Sequence, residues 1–600
     1  MTPWFQTDRR PAKRYRPQPD RHLGRIPVYD RDRLTPGAEI RGLALLVDSY
    51  STAVVEENWQ VTVDGTGTAI FNETRARPKE HRHGGRSEQA ALELYANRMQ
   101  QVAESMGAML RRTARSVNVK DRLDFSCALL DAQGYLVANA QHIPVHLGGM
   151  GLCARRILAK HRLGPGDAIV TNHPAWGGSH LSDVTLLSPV YIERELIGYC
   201  INRAHHAEIG GVTPGSMPPR ATRLLEEGVV IEPFYLIRGG RADWQGMRTL
   251  LEAGPWPSRM VPENLADLNA QLAANQRGAR DLVELARRTG ADTLCHYAAR
   301  LRQNAAGKVS RMIDGLETAS YRAEERLDDG SLLRVVVTRE NAGKATLDFT
   351  GSAAVHPGNL NGTEAVCTSV IMYVLRLLVD EPIPLNDGML DPITVILPEG
   401  ILCPPFGAIE TCPAVAGGNV ELSQRLTDTL LKAFGVAAAS QGTMNNLLFG
   451  NERFGYYETI GGGCGAIEGH AGADGVHQHM TNTRITDVEV LEQRYPVRLR
   501  RFALRPQSGG VGQWRGGRGI IRELEFLEPV TLSLLAQRRN SGPYGLQGGG
   551  AGSPGRQSLV LPNGQTRSMP GDFSIDVAVG TRLVVETPGG GAVGSKIGNQ

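Results

Sequence analysis

The sequence predicts a multi-domain protein of mixed α/β (α+β) class, strand-rich with Gly-rich loops, a helical middle section and a β-rich C-terminal part. Its 600 residues are too many for one hydrophobic core. It contains 71 glycines, an excess that favours many tight turns over a helical bundle. Short apolar runs bounded by turn residues occupy most of the chain, whereas apolar residues recur at helical spacing from 262 to about 320.

The first 75 residues are predicted to form an arm followed by a small β unit. Residues 1–35 are rich in Arg, Pro and Asp and show no periodicity, whereas 38–72 holds several short β-type runs. The Asp64-Gly65 step between two of these runs is a hairpin signal. Residues 76–86 are polar, charged and aperiodic, which is typical of a linker.

Residues 87–600 are predicted to form the main body, in three parts. The part from 87 to 260 opens with a helix over 88–115 and then alternates short strands with loops rich in Gly, Pro and His. The part from 261 to 330 is helical, with Pro262 near a helix start and Gly290 as a break. The part from 331 to 600 returns to strands, with helices expected at 362–379 and from Val420 to about Phe434.

Composition argues against several classes of function. The net charge is only +3, with no basic stripe beyond residue 35, so nucleic acid is not an expected partner. No apolar run is long enough for a membrane span. The eight cysteines form no CxxC pair, which favours a reduced, cytoplasmic setting. No glycine-rich stretch continues into the Gly-Lys-Ser/Thr of a phosphate loop, so we expect no nucleotide site in this chain.

Histidines cluster in one part of the sequence. Seven of the fifteen fall between positions 142 and 206, and acidic residues lie within or close to this interval. The candidates for a site are His142, His146, His173, His180, His205, His206, Asp124, Asp183 and Glu208. Imidazole and carboxylate together suit Zn, Mn or Fe. In 177-GGSHLSD-183 a turn would let His180 and Asp183 reach one point. The alternative is an ordinary capped turn, with Asp183 or Ser182 as the capping residue.

A series of blocks in this region resembles the hydantoinase B/5-oxoprolinase family. The blocks follow the family's order from about residue 87 to 600, and they include 121-DRLDFSCALLDAQGYLVANAQHIPVHLGGM-150, 166-GDAIVTNHPAWGGSHLSDVTLLSPV-190, 203-RAHHAEIGGVTPGSMPP-219 and 479-HMTNTRITDVEVLEQRYPV-497. The small β unit, 34-LTPGAEIRGLALLVDSYSTAVVEENWQVTVD-64, resembles the C-terminal tail of the companion hydantoinase A family. Its Gly42-Leu43-Ala44 stands where that family has Gly-Pro-Ala.

The resemblance implies a division of labour within a hetero-oligomer. An A-type ATPase partner would bind ATP and phosphorylate a small-molecule substrate, and this chain would hold a divalent metal, Zn or Mn, and complete the reaction. Carried over from the family, the metal ligands become His180, Asp183, His205 and an upstream acid, Asp124. The choice of His205 over His206 rests on spacing alone. His206, Glu208 and His146 are then the candidates for a general base.

Three functions remain open at the level of sequence. The first is a subunit of an ATP-dependent cyclic-amide hydrolase, which opens a hydantoin, 5-oxoproline or lactam ring. The second is a subunit of an ATP-dependent ketone carboxylase, and a bicarbonate requirement would distinguish it. The third is a non-enzymatic scaffold that completes the partner's domain, and such a scaffold need not hold stoichiometric metal. Resemblance at the level of the fold does not fix the substrate.

Overall fold

The computed structural model describes residue 14, residues 16–74 and residues 88–595. The chain divides into two compact units, Met1–Ser87 and Glu88–Gln600. The predicted linker, 76–86, and residues 1–13 and 15 of the predicted arm lie outside the described residues. The later part of the predicted arm forms two short strands, Arg21–Leu23 and Ile26–Asp30, which the sequence did not predict. The three-part division of 87–600 remains a prediction, because the second unit forms a single compact body.

The first unit is a pair of small sheets. Its strands are β1 (Arg21–Leu23), β2 (Ile26–Asp30), β3 (Glu39–Arg41), β4 (Ala44–Val47), β5 (Thr52–Val55), β6 (Trp59–Val63) and β7 (Ala69–Glu73). One sheet has the order β1-β2-β4-β5 and the other β3-β6-β7. The hairpin predicted at Asp64-Gly65 joins β6 to β7. The core between the sheets is small, with five buried apolar residues: Ile40, Ala44, Leu46, Val55 and Val61.

The second unit begins with a seven-stranded antiparallel sheet and its helices. The elements in chain order are α1 (Glu88–Thr113), α2 (Val117–Lys120), β8 (Phe125–Leu130), β9 (Leu136–Asn139), α3 (Pro144–Lys160), β10 (Ala168–Thr171), β11 (Asp183–Ile192), β12 (Glu195–His205), β13 (Phe234–Arg238), β14 (Arg241–Ala242) and α4 (Trp244–Leu251). The strand order is β14-β13-β10-β11-β12-β8-β9.

Helices cover both faces of this sheet. Two long helices follow, α5 (Val261–Thr289) and α6 (Ala291–Asp314), with Gly290 between them at φ +91°, as the sequence predicted. Helices α1 and α5 pack on one face of the sheet. Helix α3 packs on the other, where its apolar residues meet those of β8 and β12. With both faces covered, every residue of β8 is buried, including Ser126.

Three more sheets and their helices make up the rest of the second unit. The elements are β15 (Ser320–Arg326), β16 (Leu332–Arg339), β17 (Ala345–Asp348), α7 (Glu364–Leu378), β18 (Ile393–Ile396), α8 (Ser423–Phe434), β19 (Asn446–Asn451), β20 (Phe454–Glu458), α9 (Val488–Arg494), β21 (Val497–Leu504), β22 (Ile520–Phe526), β23 (Val530–Leu535), β24 (Arg556–Val560), β25 (Thr566–Met569), β26 (Asp572–Val577) and β27 (Arg582–Glu586). The sheets have the orders β15-β16-β17-β18, β20-β19-β23-β26 and β21-β22-β27-β24-β25.

The predicted fold class is confirmed, with one local difference in the helix expected from Val420. A π-helical turn, Gly418–Leu422, precedes α8, and it occupies residues that the sequence assigned partly to a turn. Gly418 permits this path because a Cβ there would lie 1.7 Å from the Asn361 carbonyl oxygen. Within residues 16–74 and 88–595, no helix combines the length and apolarity that crossing a bilayer requires.

Candidate metal centre

Strand pairing brings Asp183 and His205 together. Strands β11 and β12 are antiparallel neighbours, and in their register Asp183 lies directly opposite His205. Side chains of directly opposed residues lie about 5 Å apart on one face of the sheet. His180 precedes β11 in a tight turn, in which the Asp183 amide N–H donates to the His180 carbonyl at 3.1 Å. Residues distant in sequence thus meet at one end of a hairpin.

The two glycines of 177-GGSHLSD-183 are needed for packing. A Cβ on Gly177 would lie 2.7 Å from the backbone nitrogen of Cys153 in α3. A Cβ on Gly178 would lie 2.5 Å from the Asn172 carbonyl oxygen. Any side chain at either position would therefore displace backbone. The loop that carries His180 is pressed between α3 and the end of β10, which fixes the position of its imidazole.

His180, Asp183 and His205 form a buried cluster of unpartnered donor atoms. One ligand atom from each residue lies within 4.8 Å of the others, and no side chain of the three is more than 3% exposed. Both ring nitrogens of His180 and Nε2 of His205 have no hydrogen-bond partner among the described residues, and beside Oδ1 of Asp183 lies the His146 ring, 3.2 Å away. Because unpaired buried polar atoms are costly, their convergence fits a cation that takes their lone pairs. Two imidazoles and a carboxylate suit Zn or Mn.

His146 extends this cluster from α3. Its Nε2 lies 3.2 Å from Oδ1 of Asp183, and its Nδ1 lies 3.2 Å from the Ser126 hydroxyl. The Ser179 hydroxyl donates to the other carboxylate oxygen of Asp183. Burial opposes ionisation of Asp183, but His146 and His180 outweigh it and hold the pKa of this carboxyl well below its usual range. Asp183 is therefore an anion at neutral pH.

The adjacent histidines 205 and 206 have different surroundings. The His205 ring stacks on Tyr457 with the ring centres 4.7 Å apart, and its Nδ1 contacts the Asn118 amide at 2.9 Å. The His206 ring lies against α5, with its two nitrogens 3.1 Å from Asn264 and 3.2 Å from Gln271. Burial lowers the pKa of both histidines, so both are neutral. The geometry brings His205, and not His206, to the cluster.

Asn118 is positioned to orient the imidazole of His205. The Asn118 amide nitrogen lies 2.9 Å from Nδ1 of His205, and the amide oxygen accepts from Arg122. If Nε2 of His205 binds a metal, Nδ1 carries the proton, and Asn118 would turn its amide oxygen toward Nδ1 to accept it. We expect Asn118→Leu to weaken metal binding by about 10- to 100-fold, as is usual when an outer partner of a ligand is removed. Asn118→Asp keeps an acceptor and should retain near-normal affinity, as measured by metal titration of the apoprotein. Equal affinity in wild type and Asn118→Leu would contradict this role.

Asp124 and Glu208 are both buried, but neither is one of the three residues whose donor atoms converge, His180, Asp183 and His205. Asp124 accepts the His205 amide N–H through its backbone carbonyl at 3.0 Å, and burial raises the pKa of its carboxyl. Glu208 pairs with Arg259 at 3.0 Å and accepts the amide N–H groups of Gly210 and Gly215. The described contacts of Glu208 thus hold the loop that follows β12 and involve none of the three cluster residues.

Three neighbours of the cluster had not been singled out from the sequence: Asn118, Glu227 and Tyr457. Glu227 is buried, accepts the amide N–H groups of Val415 and Ala416, and interacts electrostatically with His180. Burial raises its pKa to about 7. These residues come from three separate parts of the chain, and none has a characteristic spacing from a histidine. The stretch 226-EEGVVIEPF-234, which also resembles the family, contains Glu227. This resemblance is the sequence signal from which Glu227 could have been found.

Comparisons with known proteins show the family to which the chain belongs. The family model Hydantoinase B/oxoprolinase matches residues 88–596. The chain is 41% identical to 5-oxoprolinase 1 of Arabidopsis thaliana over 95% of its own length and 46% of that relative, so it spans about half the length of this longer protein.

Two solved structures share the fold. The ATP-dependent caprolactamase from Pseudomonas jessenii aligns with a TM-score of 0.77 at 24% identity, over 85% of this chain and 91% of that one. A nucleotide-free acetone carboxylase aligns with a TM-score of 0.76 at 17% identity, over 84% of this chain and 76% of that one. The resemblance read from the sequence blocks is confirmed, and the chain belongs to the hydantoinase B/oxoprolinase family.

Proposed function

We propose that this chain is the B-type subunit of an ATP-dependent cyclic-amide hydrolase that opens a hydantoin, 5-oxoproline or lactam ring. ATP is bound by an A-type ATPase partner, and a divalent metal, Zn or Mn, is held here by His180, Asp183 and His205. The observation that carries the proposal is the convergence of unpartnered, buried donor atoms from these three residues. Family membership and the 5-oxoprolinase relative supply the reaction class.

The metal, when bound, supplies Lewis acidity at the substrate carbonyl and lowers the pKa of a coordinated water. The chain's own contribution is to hold the donors in a closed, dry site. Asp183 brings the negative charge, and His180 and His205 would hold a bound metal through unprotonated ring nitrogens. Asp124, buried and close enough to interact electrostatically with Asp183 and His180, is the proposed fourth, acidic ligand.

Among the three candidates for general base, His146 has the most suitable position. Its Nδ1 contacts Ser126 and its Nε2 lies 3.2 Å from Asp183, so it is the candidate whose ring lies directly beside the cluster. Both nitrogens of His206 contact amides of α5, and both carboxylate oxygens of Glu208 accept hydrogen bonds. We assign His206 and Glu208 positioning roles in the loop behind the cluster.

Two buried arginines near the cluster favour an anionic, activated substrate. Arg122 and Arg203 are fully buried. Arg122 lies close enough to Asp124 to oppose the rise in pKa that burial causes at that carboxyl, and Arg203 has no ion pair with a carboxylate among the described residues. Arg203 lies two residues before His205 in β12, and its Nη1 has no hydrogen-bond partner. Arg122 donates to Asn118, the residue that contacts His205. A buried guanidinium without a counterion is costly, and a substrate phosphate or carboxylate would supply that counterion.

The test is a reconstituted assay of the chain with its A-type partner. We expect ATP hydrolysis coupled to ring opening of one member of a panel of hydantoins, 5-oxoproline and lactams, without bicarbonate. Turnover of ketones that requires bicarbonate would instead identify a ketone carboxylase, the alternative suggested by the acetone carboxylase fold. Absence of stoichiometric metal together with absence of turnover would leave the non-enzymatic scaffold. Asp183→Asn is the matched control, because it removes one ligand charge without changing the shape of the side chain.

A further inference from the structure

Two glutamine side chains, Gln424 and Gln478, each end in a buried oxygen that has no partner. Nε2 of Gln424 donates to the backbone carbonyl of Gln478 at 3.0 Å, and Nε2 of Gln478 donates to the Gly463 carbonyl at 3.3 Å. A carbonyl oxygen only accepts, so each amide nitrogen faces it and each Oε1 is directed elsewhere. Among the described residues, neither Oε1 has a hydrogen-bond partner, and Gln424 is completely buried. Two acceptors are therefore left free in a buried place.

The loop 477–480, which carries the second glutamine, begins beside the metal cluster. His477 lies close enough to the Arg122 guanidinium to interact with it electrostatically. That guanidinium lies over the Tyr457 ring, 4.9 Å from the ring centre. The same ring stacks on His205, with the centres 4.7 Å apart. Only Arg122 and Tyr457 thus separate the start of the loop from a proposed metal ligand.

The end of this loop adjoins the other side of the cluster. The Val145 amide N–H donates to the Met480 carbonyl at 3.3 Å. The next residue in α3 is His146, whose Nε2 lies 3.2 Å from Oδ1 of Asp183. Consecutive Cα atoms are about 3.8 Å apart, so the two ends of the loop are at most about 11 Å apart. Gln478 lies between them and is therefore close to the cluster.

The other glutamine approaches the cluster from a separate segment. The amide N–H groups at 415–416 donate to Glu227, which interacts electrostatically with His180. The π-helical turn Gly418–Leu422 connects this point to α8, and Gln424 is the second residue of that helix. The contact between the two glutamines therefore closes a polar region between α8 and the loop, next to the proposed metal ligands.

We propose that Oε1 of Gln424 and Oε1 of Gln478 accept the ring N–H of a cyclic-amide substrate, an inference that rests on the proposed function. Hydantoins, 5-oxoproline and lactams all carry an N–H group bonded to a ring carbonyl. A buried acceptor without a donor is costly, and a substrate N–H removes that cost. A ketone has carbon on both sides of its carbonyl and cannot donate. The subsite thus selects cyclic amides against the substrates of a ketone carboxylase.

The test compares a cyclic amide with its ring-oxygen analogue, in which an oxygen atom replaces the ring nitrogen, in the chain reconstituted with its A-type partner. The ring oxygen cannot donate and would place a lone pair against the two acceptors. Gln424→Met and Gln478→Met keep the length of the side chain but remove the amide oxygen. We expect each to lower the ratio of kcat/KM for the amide to kcat/KM for the analogue by about 10- to 100-fold, with bound metal unchanged.

Gln441→Met is the matched control. Gln441 is also completely buried, but both ends of its amide have partners. Its Nε2 donates to the Ile460 carbonyl at 3.4 Å, and its Oε1 accepts from the Asn445 amide at 2.8 Å. The substitution should lower the free energy of unfolding, because it breaks both hydrogen bonds, and it should leave the ratio between the two compounds as in wild type.

Each outcome bears on a different claim. A wild-type ratio in both Gln424→Met and Gln478→Met, while the wild-type enzyme opens a cyclic amide, would overturn the subsite and leave the proposed function standing. An equal loss of kcat/KM for both compounds would show that the glutamines support the fold alone, and it would also overturn the subsite. If the wild-type enzyme opens no cyclic amide of the panel, the proposed function fails and the subsite fails with it.

Discussion

Replacing Asp183 by Asn is expected to remove both the bound metal and the activity. The two side chains have the same shape, but the amide lacks the negative charge that the cluster needs. Asp183 also contacts every other component of the site, since it lies opposite His205 and its carboxylate is close to His180 and His146. Metal content, measured by elemental analysis after dialysis, should fall from about one ion per chain to background. Turnover with the A-type partner should fall more than about 100-fold.

The fold should survive this substitution. Asp183 is completely buried, and its ionised state is favoured by two histidines and not by a metal alone. An amide can still contact the Ser179 hydroxyl and His146, so the far-UV circular dichroism and the oligomeric state should match wild type. Ser188→Ala, in the same strand but five residues away and partly exposed, is the control and should keep both metal and turnover. Stoichiometric metal in Asp183→Asn would rule out the proposed centre.

Much of the secondary structure could be predicted because its signals are local. The periodic apolar residues of α1, the break at Gly290 and the hairpin at Asp64-Gly65 each depend on a few neighbouring residues. The proximity of His180 and Asp183 could be predicted for the same reason, because the two residues lie three positions apart in one turn. The π-helical turn before α8 differs, since it depends on close packing against Asn361, which is remote in sequence.

The rest of the site could not be predicted from local pattern, because its surroundings come from distant segments. Tyr457 stacks on His205 from β20, and Asn118 reaches the same ring from α2. Glu227 is fixed by amide groups at 415 and 416. Strand register places Asp183 opposite His205, and one residue of slip would place the opposite set of side chains in the site. Spacing alone could not decide whether His205 or His206 is the metal ligand, because the surroundings of each ring come from distant segments.

Substituting the two adjacent histidines one at a time should separate ligand from structural support. In His205→Phe the ring can still stack on Tyr457, but Nε2 and its lone pair are gone, so we expect loss of metal. The buried Asn118 amide loses one partner, which should lower the free energy of unfolding by about 1–3 kcal/mol. In His206→Phe the cluster is intact and metal should remain. The amides of Asn264 and Gln271 lose a partner in a buried place, which should lower the free energy of unfolding by about 2–4 kcal/mol.

The comparison depends on measuring both properties in both variants. Metal content by elemental analysis and stability by urea unfolding of the apoprotein keep ligand binding and folding apart, since a bound metal would itself stabilise the native state. The expected result is that only His205→Phe loses the metal, and that His206→Phe, which removes two hydrogen bonds and not one, loses more stability. Metal retained in His205→Phe and lost in His206→Phe would reverse the assignment. The register of β11 and β12 argues against that reversal, because it places position 205 directly opposite Asp183.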